Sequence, residues 1–178
     1  MRIVLLAALA FISPTAALAK DQFDRPELTV PKDVAKLSIL FSDSANWNGK
    51  NVPRVMQCER IGGKSPASPA LTISGLPDAT KSLVVYFANP RAIHNHGLFR
   101  ISEGREGTSW SIPAIRSRSP VAEFPEGVDL FQGGDTWGFA YSSPCPTSGS
   151  WLYTITVYAL GESDKVLATG EANMGYAP

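Results

Sequence analysis

Fifteen glycines and fourteen prolines punctuate this 178-residue chain at near-even spacing. Proline removes an amide donor and both residues weaken helices, so few long helical runs fit between them. The intervals that remain are short and apolar, and they carry the period of strands. Leu37, Ile39 and Phe41 alternate with Lys36, Ser38 and Leu40, and alternation of this kind marks a half-buried strand. Ser82–Phe87, SLVVYF, is almost continuously apolar, as in a strand covered on both faces. Leu98–Ile101 is a shorter candidate. Trp151–Leu160, WLYTITVYAL, fills both faces with β-branched and aromatic residues. Val166–Thr169 is placed to pair back onto it through the short Gly161–Lys165 turn. No amphipathic stripe of 3.6-residue period runs through the chain after its first residues. The expected class is all-β, mainly an antiparallel sandwich with few or no helices.

The start of the chain is different. Arg2 precedes an apolar run from Ile3 to Ile12, and Ala17-Leu18-Ala19 supplies small residues at the positions a signal peptidase reads. That run is too short to span a bilayer as a helix. Residues 1–19 are expected to be a cleaved signal peptide, making the mature protein periplasmic or secreted, with no integral membrane segment. Residues 20–35 read as an extended lead-in and residues 36–178 as the domain, and about 159 mature residues suit one core. The 16 basic and 16 acidic residues balance, which leaves no electrostatic footprint for nucleic acid. In an oxidising compartment the only two cysteines, Cys58 and Cys145, are expected to form a disulfide; two free thiols are the alternative.

Few motifs announce chemistry. Ile61–Ser65, IGGKS, ends like a phosphate-binding loop, but the motif needs a glycine where Cys58 stands, so it reads as a turn. Asn48-Gly49 is a second turn signal. His94-Asn95-His96 is the only histidine cluster. On a regular strand its two imidazoles face one side, yet no third ligand is spaced for a metal, and none is expected. No Gly-x-Ser-x-Gly elbow accompanies the many serines. Residues 102–126 form a long polar excursion carrying Arg105, Arg116 and Arg118, the kind of segment that serves as a functional loop. Asn89, His96, Trp151 and Tyr153 all fall near strand ends, where loops converge on ligand sites in β folds. Periodicity alone reads Trp151 and Tyr153 as ordinary core residues.

The order of several segments resembles the phosphatidylethanolamine-binding protein family, whose members are also called Raf-kinase-inhibitor-like. NWNGKNVP (Asn46–Pro53), QCERIGGKSPASPALTISGLPDATKSLVVYFANP (57–90), HNHGLFRI (94–101), FPEGV (124–128) and YSSPCPTSGSWLYTITVYAL (141–160) follow its motifs in sequence. The resemblance implies a β-sandwich with an anion pocket for phosphate or phospholipid-like head groups, in proteins that bind ligands or inhibit partners and are not generally enzymes. It places Asn89, His96, Trp151 and Tyr153 in that pocket, with Pro144 and Pro146 shaping its rim and His94 as a less direct neighbour. It also pairs Cys145 with Cys58, since each lies in a family motif.

Several positions depart from the family pattern. An aspartate becomes Asn89, a tryptophan after the histidine becomes Gly97, and a pocket histidine becomes Trp151. An amide and an indole then stand where a carboxylate and an imidazole were expected, so His96 is the one group left to titrate near neutral pH. A narrower or more apolar pocket, weaker for phosphate dianions, follows. Only GESDK separates Leu160 from Val166, where the family inserts a helix. The expected function is a non-enzymatic binding protein without cofactor, taking a small anionic or lipid-like ligand. The alternatives are a protein-interaction or inhibitor module with a vestigial pocket and, more remotely, a hydrolase using His96.

Overall fold

The computed structural model describes residues 28–90, 94–131 and 141–178. The expected signal peptide at 1–19 and the first part of the lead-in lie outside the described residues. Ten strands follow in order: β1 (Ala35–Lys36), β2 (Ser38–Phe41), β3 (Leu71–Ser74), β4 (Ser82–Asn89), β5 (His94–Ile101), β6 (Arg105–Glu106), β7 (Ser109–Ile112), β8 (Val128–Leu130), β9 (Trp151–Leu160) and β10 (Val166–Ala177). Helical structure among the described residues is confined to single 3-10 turns.

The strands form two sheets, one of six strands ordered β1-β10-β9-β4-β5-β8 and one of four ordered β2-β3-β7-β6. The sandwich expected from the sequence is therefore present. The larger sheet is mixed rather than wholly antiparallel, because β1 pairs parallel to β10 through Ala35 and Lys36. β10 also runs on to Ala177, its pairing with β9 interrupted by irregularities on either side of Ala168–Asn173. The polar excursion at 102–126 is less irregular than its composition suggests. It begins with the β6–β7 pair, and Arg105 is fixed by the carbonyls of Gly107, Asp78 and Thr80.

Burial explains why β4 and β9 are apolar on both faces. Tyr153, Ile155, Val157 and Ala159 of β9 enter the main core with Val85 and Phe87 of β4, opposite Ile73, Trp110 and Ile112 of the smaller sheet. The outer face is covered as well, since Val84, Leu98, Leu160 and Val166 cluster there with Leu28 and Val34 of the lead-in. The lead-in thus removes apolar surface from water on the side the sandwich does not close.

The short β9–β10 connection is clasped to the sheet. Arg100 of β5 donates to both carboxylate oxygens of Asp164, at 2.9 and 2.8 Å, and to Ser82 Oγ at 3.2 Å, with its guanidinium 5.0 Å from the Phe131 ring. Hydrogen bonding from Arg100 holds the Asp164 carboxyl below the usual carboxylate range. A depressed folded-state pKa stabilises the protein above the unfolded value and ceases to do so as pH falls through the folded one. Both side chains are partly exposed, so Arg100→Gln is expected to cost under about 1 kcal/mol through this pair at neutral pH. Urea denaturation should show that deficit shrinking toward zero as the pH is lowered below the ordinary aspartate range.

Candidate functional site

The site begins with a defect in the β4–β5 ladder. Phe87 pairs with Gly97 and Ala88 with Asn95, so the register shifts by one residue at His96. A bulge of this kind twists a strand and re-aims one side chain, and bulges are enriched beside active sites. Two local residues make it possible. Gly97 has φ of +149°, a conformation that side chains disfavour, and its amide donates to Asn95 Oδ1 at 2.8 Å. Strand signals in the sequence begin only at Leu98, and a regular strand would put the imidazoles of His94 and His96 on one side. Both residues belong to β5 instead, and the bulge breaks that simple alternation. His94 pairs with Asn89 through the backbone; its side chain lies outside what the structure describes.

The imidazole is then fixed from across the fold. The Ser142 amide donates to His96 O at 2.8 Å, and His96 Nδ1 lies 2.7 Å from Ser142 O. A carbonyl can only accept, so Nδ1 carries a proton. The ring stands edge-on to Tyr153, with centroids 5.0 Å apart. Tyr153 is buried on β9, and its hydroxyl accepts the Cys145 amide at 3.1 Å. Burial raises the Tyr153 pKa, while the Cys145 amide and the Asn89 side chain act in the opposite direction. Tyr141, wholly buried with its ring edge against Phe87, is pushed far above the ordinary phenol range by burial and then by the nearby Tyr153. Both phenols therefore stay neutral.

The proline loop lies over this cluster. A disulfide joins Cys58 to Cys145 with Cα atoms 5.2 Å apart. The Cys58 amide donates to Pro144 O at 3.0 Å, and Arg60 donates to Cys145 O at 3.2 Å and Pro146 O at 3.0 Å. Proline offers no donor, and the carbonyl of each loop proline is paired here, so both rings can be buried. Ser143 continues the bracing, its amide donating to Ser117 Oγ at 3.1 Å.

Asn89, His96, Tyr153, Pro144 and Pro146 thus gather at one end of the larger sheet. Trp151 sits two residues before Tyr153, partly buried and packed against the main core. Asn95, Ser142 and Arg60 were not singled out from the sequence. Asn95 sits between the two histidines that were; Ser142 and Arg60 act across 46 and 85 residues, and no local pattern signals such contacts.

Tyr153→Phe removes the acceptor of the Cys145 amide and is expected to cost about 1–2 kcal/mol, as for a buried donor left unpaired. Urea denaturation measures it, and faster hydrogen exchange at the Cys145 amide should accompany it. An unchanged stability would mean that water substitutes for the phenol.

Fold and site together define a class: a β-sandwich with a polar cluster at one end of its larger sheet, beneath a disulfide-held proline loop. Comparison with known proteins specifies it further. The chain belongs to the phosphatidylethanolamine-binding protein family, whose family model matches residues 42–176. A UPF0098 protein of Pyrococcus horikoshii is 32% identical over 138 residues, covering 70% of this chain and 61% of the relative. An Archaeoglobus fulgidus UPF0098 protein is 32% identical over 130 residues, 72% of this chain but 42% of its own length. The chain therefore spans less than two thirds of these two archaeal relatives. Crystal structures of a phosphatidylethanolamine-binding protein homologue from Chlamydia trachomatis and of Escherichia coli YbcL share the fold. Each has a TM-score of 0.54 and 21% identity, covers 80% of this chain, and is itself matched over 97% and 98% of its length respectively.

Proposed function

We propose that this protein is an exported binding protein rather than an enzyme, and that the cluster at Asn89, His96, Trp151 and Tyr153 receives a small phosphate- or head-group-like ligand. The observation that carries the reading is the imidazole of His96, re-aimed by a bulge, anchored through Nδ1 on Ser142 O and set against Tyr153 beneath the disulfide-held loop. An imidazole donor at His96 suits an anionic oxygen. The Asn89 amide and Trp151 indole supply donors without charge, which suits a weakly held anion or a ligand with an apolar portion. A carbonyl partner on Nδ1, in place of a carboxylate, and two neutral phenols give little support to general acid–base turnover.

Intrinsic tryptophan fluorescence, titrated with phosphoethanolamine and with short-chain phospholipids, tests this directly. Saturable quenching that weakens in His96→Ala is expected; a flat response to every anionic ligand would remove the small-ligand reading. Esterase or phosphatase turnover abolished by His96→Ala would replace it with an enzyme. The interaction-module reading draws on residues 102–126, where Arg105 is committed to internal carbonyls while Arg116 and Arg118 face the surface. Capture of a partner by the protein with intact 113–120 but not by a variant shortened there would favour it.

A further inference from the structure

We propose that the protein carries a second ligand site, a cationic cleft beside the Cys58–Cys145 disulfide that takes a small polyanion bearing two or more phosphate or sulfate groups. The cleft has a volume of about 920 Å³ and is walled by three segments, 58–67, 116–123 and 143–145. None of Asn89, His96, Trp151 or Tyr153 lines it. Its size falls within the range of sites for drug-sized ligands, roughly 300–1,000 Å³, and a single tetrahedral oxyanion fills only a small part of it.

The charge is local and one-sided. Arg60, Lys64, Arg116 and Arg118 line it alongside Glu59 and Glu123, an excess of cations in a chain whose formal net charge is zero. Among the described residues, neither acid forms an ion pair with Arg60, Lys64 or Arg116. Arg60 is held by the carbonyls of Cys145 and Pro146. Neutral acceptors fix the guanidinium without cancelling its charge, and a fixed charge in a concave wall focuses the field at that point.

The cations stand on two walls. Arg60 and Lys64 belong to the first, Arg116 and Arg118 to the second. The second wall is stitched to 66–68, because Ala67 bridges Arg116, the Ser117 amide donates to Pro66 O at 2.8 Å and the Ser68 amide to Ile115 O at 2.9 Å. Arg118 is left-handed, with φ of +61°, and its amide donates to Tyr141 O at 2.9 Å. The amides of 117, 118 and 119 all have backbone acceptors, so recognition there falls to the guanidinium and ammonium groups and to the hydroxyls of Ser65 and Ser119. Cations spread over two segments suit a ligand with separated anionic groups, each able to take a guanidinium in bidentate fashion.

Isothermal titration calorimetry on the full chain tests the site, with tripolyphosphate, orthophosphate and a disulfated disaccharide as probes. Tripolyphosphate is expected to bind more tightly than orthophosphate, and the Lys64→Gln/Arg116→Gln double variant to lose about tenfold or more in affinity. The remote surface control Lys81→Gln is expected to stay within about twofold, and the Lys64→Gln/Arg116→Gln loss is expected to persist in a His96→Ala background, where the strand-end site is weakened. Because Lys64 and Arg116 are exposed, an unchanged near-ultraviolet circular dichroism spectrum should accompany the double variant. A stronger response to the sulfated sugar or to the polyphosphate identifies the source of the anion, and either one upholds the site. Absence of heat with both polyanions at low salt overturns the proposal. So does an equal loss in Lys81→Gln, which would reduce the effect to general charge, or disappearance of the Lys64→Gln/Arg116→Gln effect in the His96→Ala background, which would leave only the strand-end cluster. The strand-end reading is judged separately, by the fluorescence titration.

Discussion

Replacing Cys58 and Cys145 together by serine is expected to lower stability by about 4–5 kcal/mol, the chain-entropy value for so long a closure. The bridge spans 87 residues, and a loss of that size removes a large share of the about 5–15 kcal/mol that holds a typical domain folded. More than chain entropy is at stake. The bridge sets the Cys58 amide under Pro144 O and the Cys145 amide over the Tyr153 hydroxyl, and Arg60 reaches the carbonyls on either side. The loop above His96 should therefore loosen even where the serine variant still folds. Urea denaturation of the oxidised protein, the reduced protein and the double variant measures the stability term. A difference below about 1 kcal/mol would show that the noncovalent contacts alone hold the loop. Mass spectrometry of the non-reduced protein checks the premise, since two free thiols would mean that the bridge is not made.

Phe87→Ala is expected to cost about 3–5 kcal/mol, as for an aromatic side chain deleted from a packed core. Phe87 is wholly buried and meets Phe99 and Tyr141 edge-on, with centroids 6.2 and 5.3 Å away. Phe87→Leu keeps most of the volume and should cost less than about half as much. The variant has a second consequence at the site. Phe87 lies opposite Gly97 at the bulge, and Tyr141 precedes the residue that anchors His96, so a cavity there frees both supports of the imidazole. Equilibrium urea denaturation gives the stability, and the His96 ring resonances report whether the anchor is lost. A Phe87→Ala cost equal to that of Phe87→Leu would mean that Tyr141 collapses into the space.

Much of the sandwich was legible because strand signals are local. β-branched and aromatic residues at Trp151–Leu160 and Ser82–Phe87 predict strands covered on both faces, and Val84, Leu160 and Leu28 meet on the outer side as that pattern requires. Turn chemistry was equally readable. Asn48 Oδ1 accepts the amides of Lys50 and Asn51, and Gly62 closes the Glu59–Ile61 turn in the left-handed region, where IGGKS was read as a turn. The β1 edge was not legible, since two residues, one of them lysine, carry no apolar pattern; their place depends on a vacant edge of β10.

At the site the division follows the same physical line. Residue types and the order of segments were enough to nominate Asn89, His96, Trp151, Tyr153 and the proline loop, and to expect a bond between the only two cysteines. They were silent on the bulge, because whether one residue is inserted depends on the register of two strands rather than on either alone. Nor did they indicate that Ser142 would fix the imidazole, that Arg60 would hold the loop carbonyls, or that Lys64 and Arg116 would share a cleft. Those groups are tens of residues apart, and only the pairing of sheets and loops brings them together. Local chemistry thus determined which elements form and which groups are available; the tertiary structure decided which of them meet, because contact between distant residues is set by register and packing.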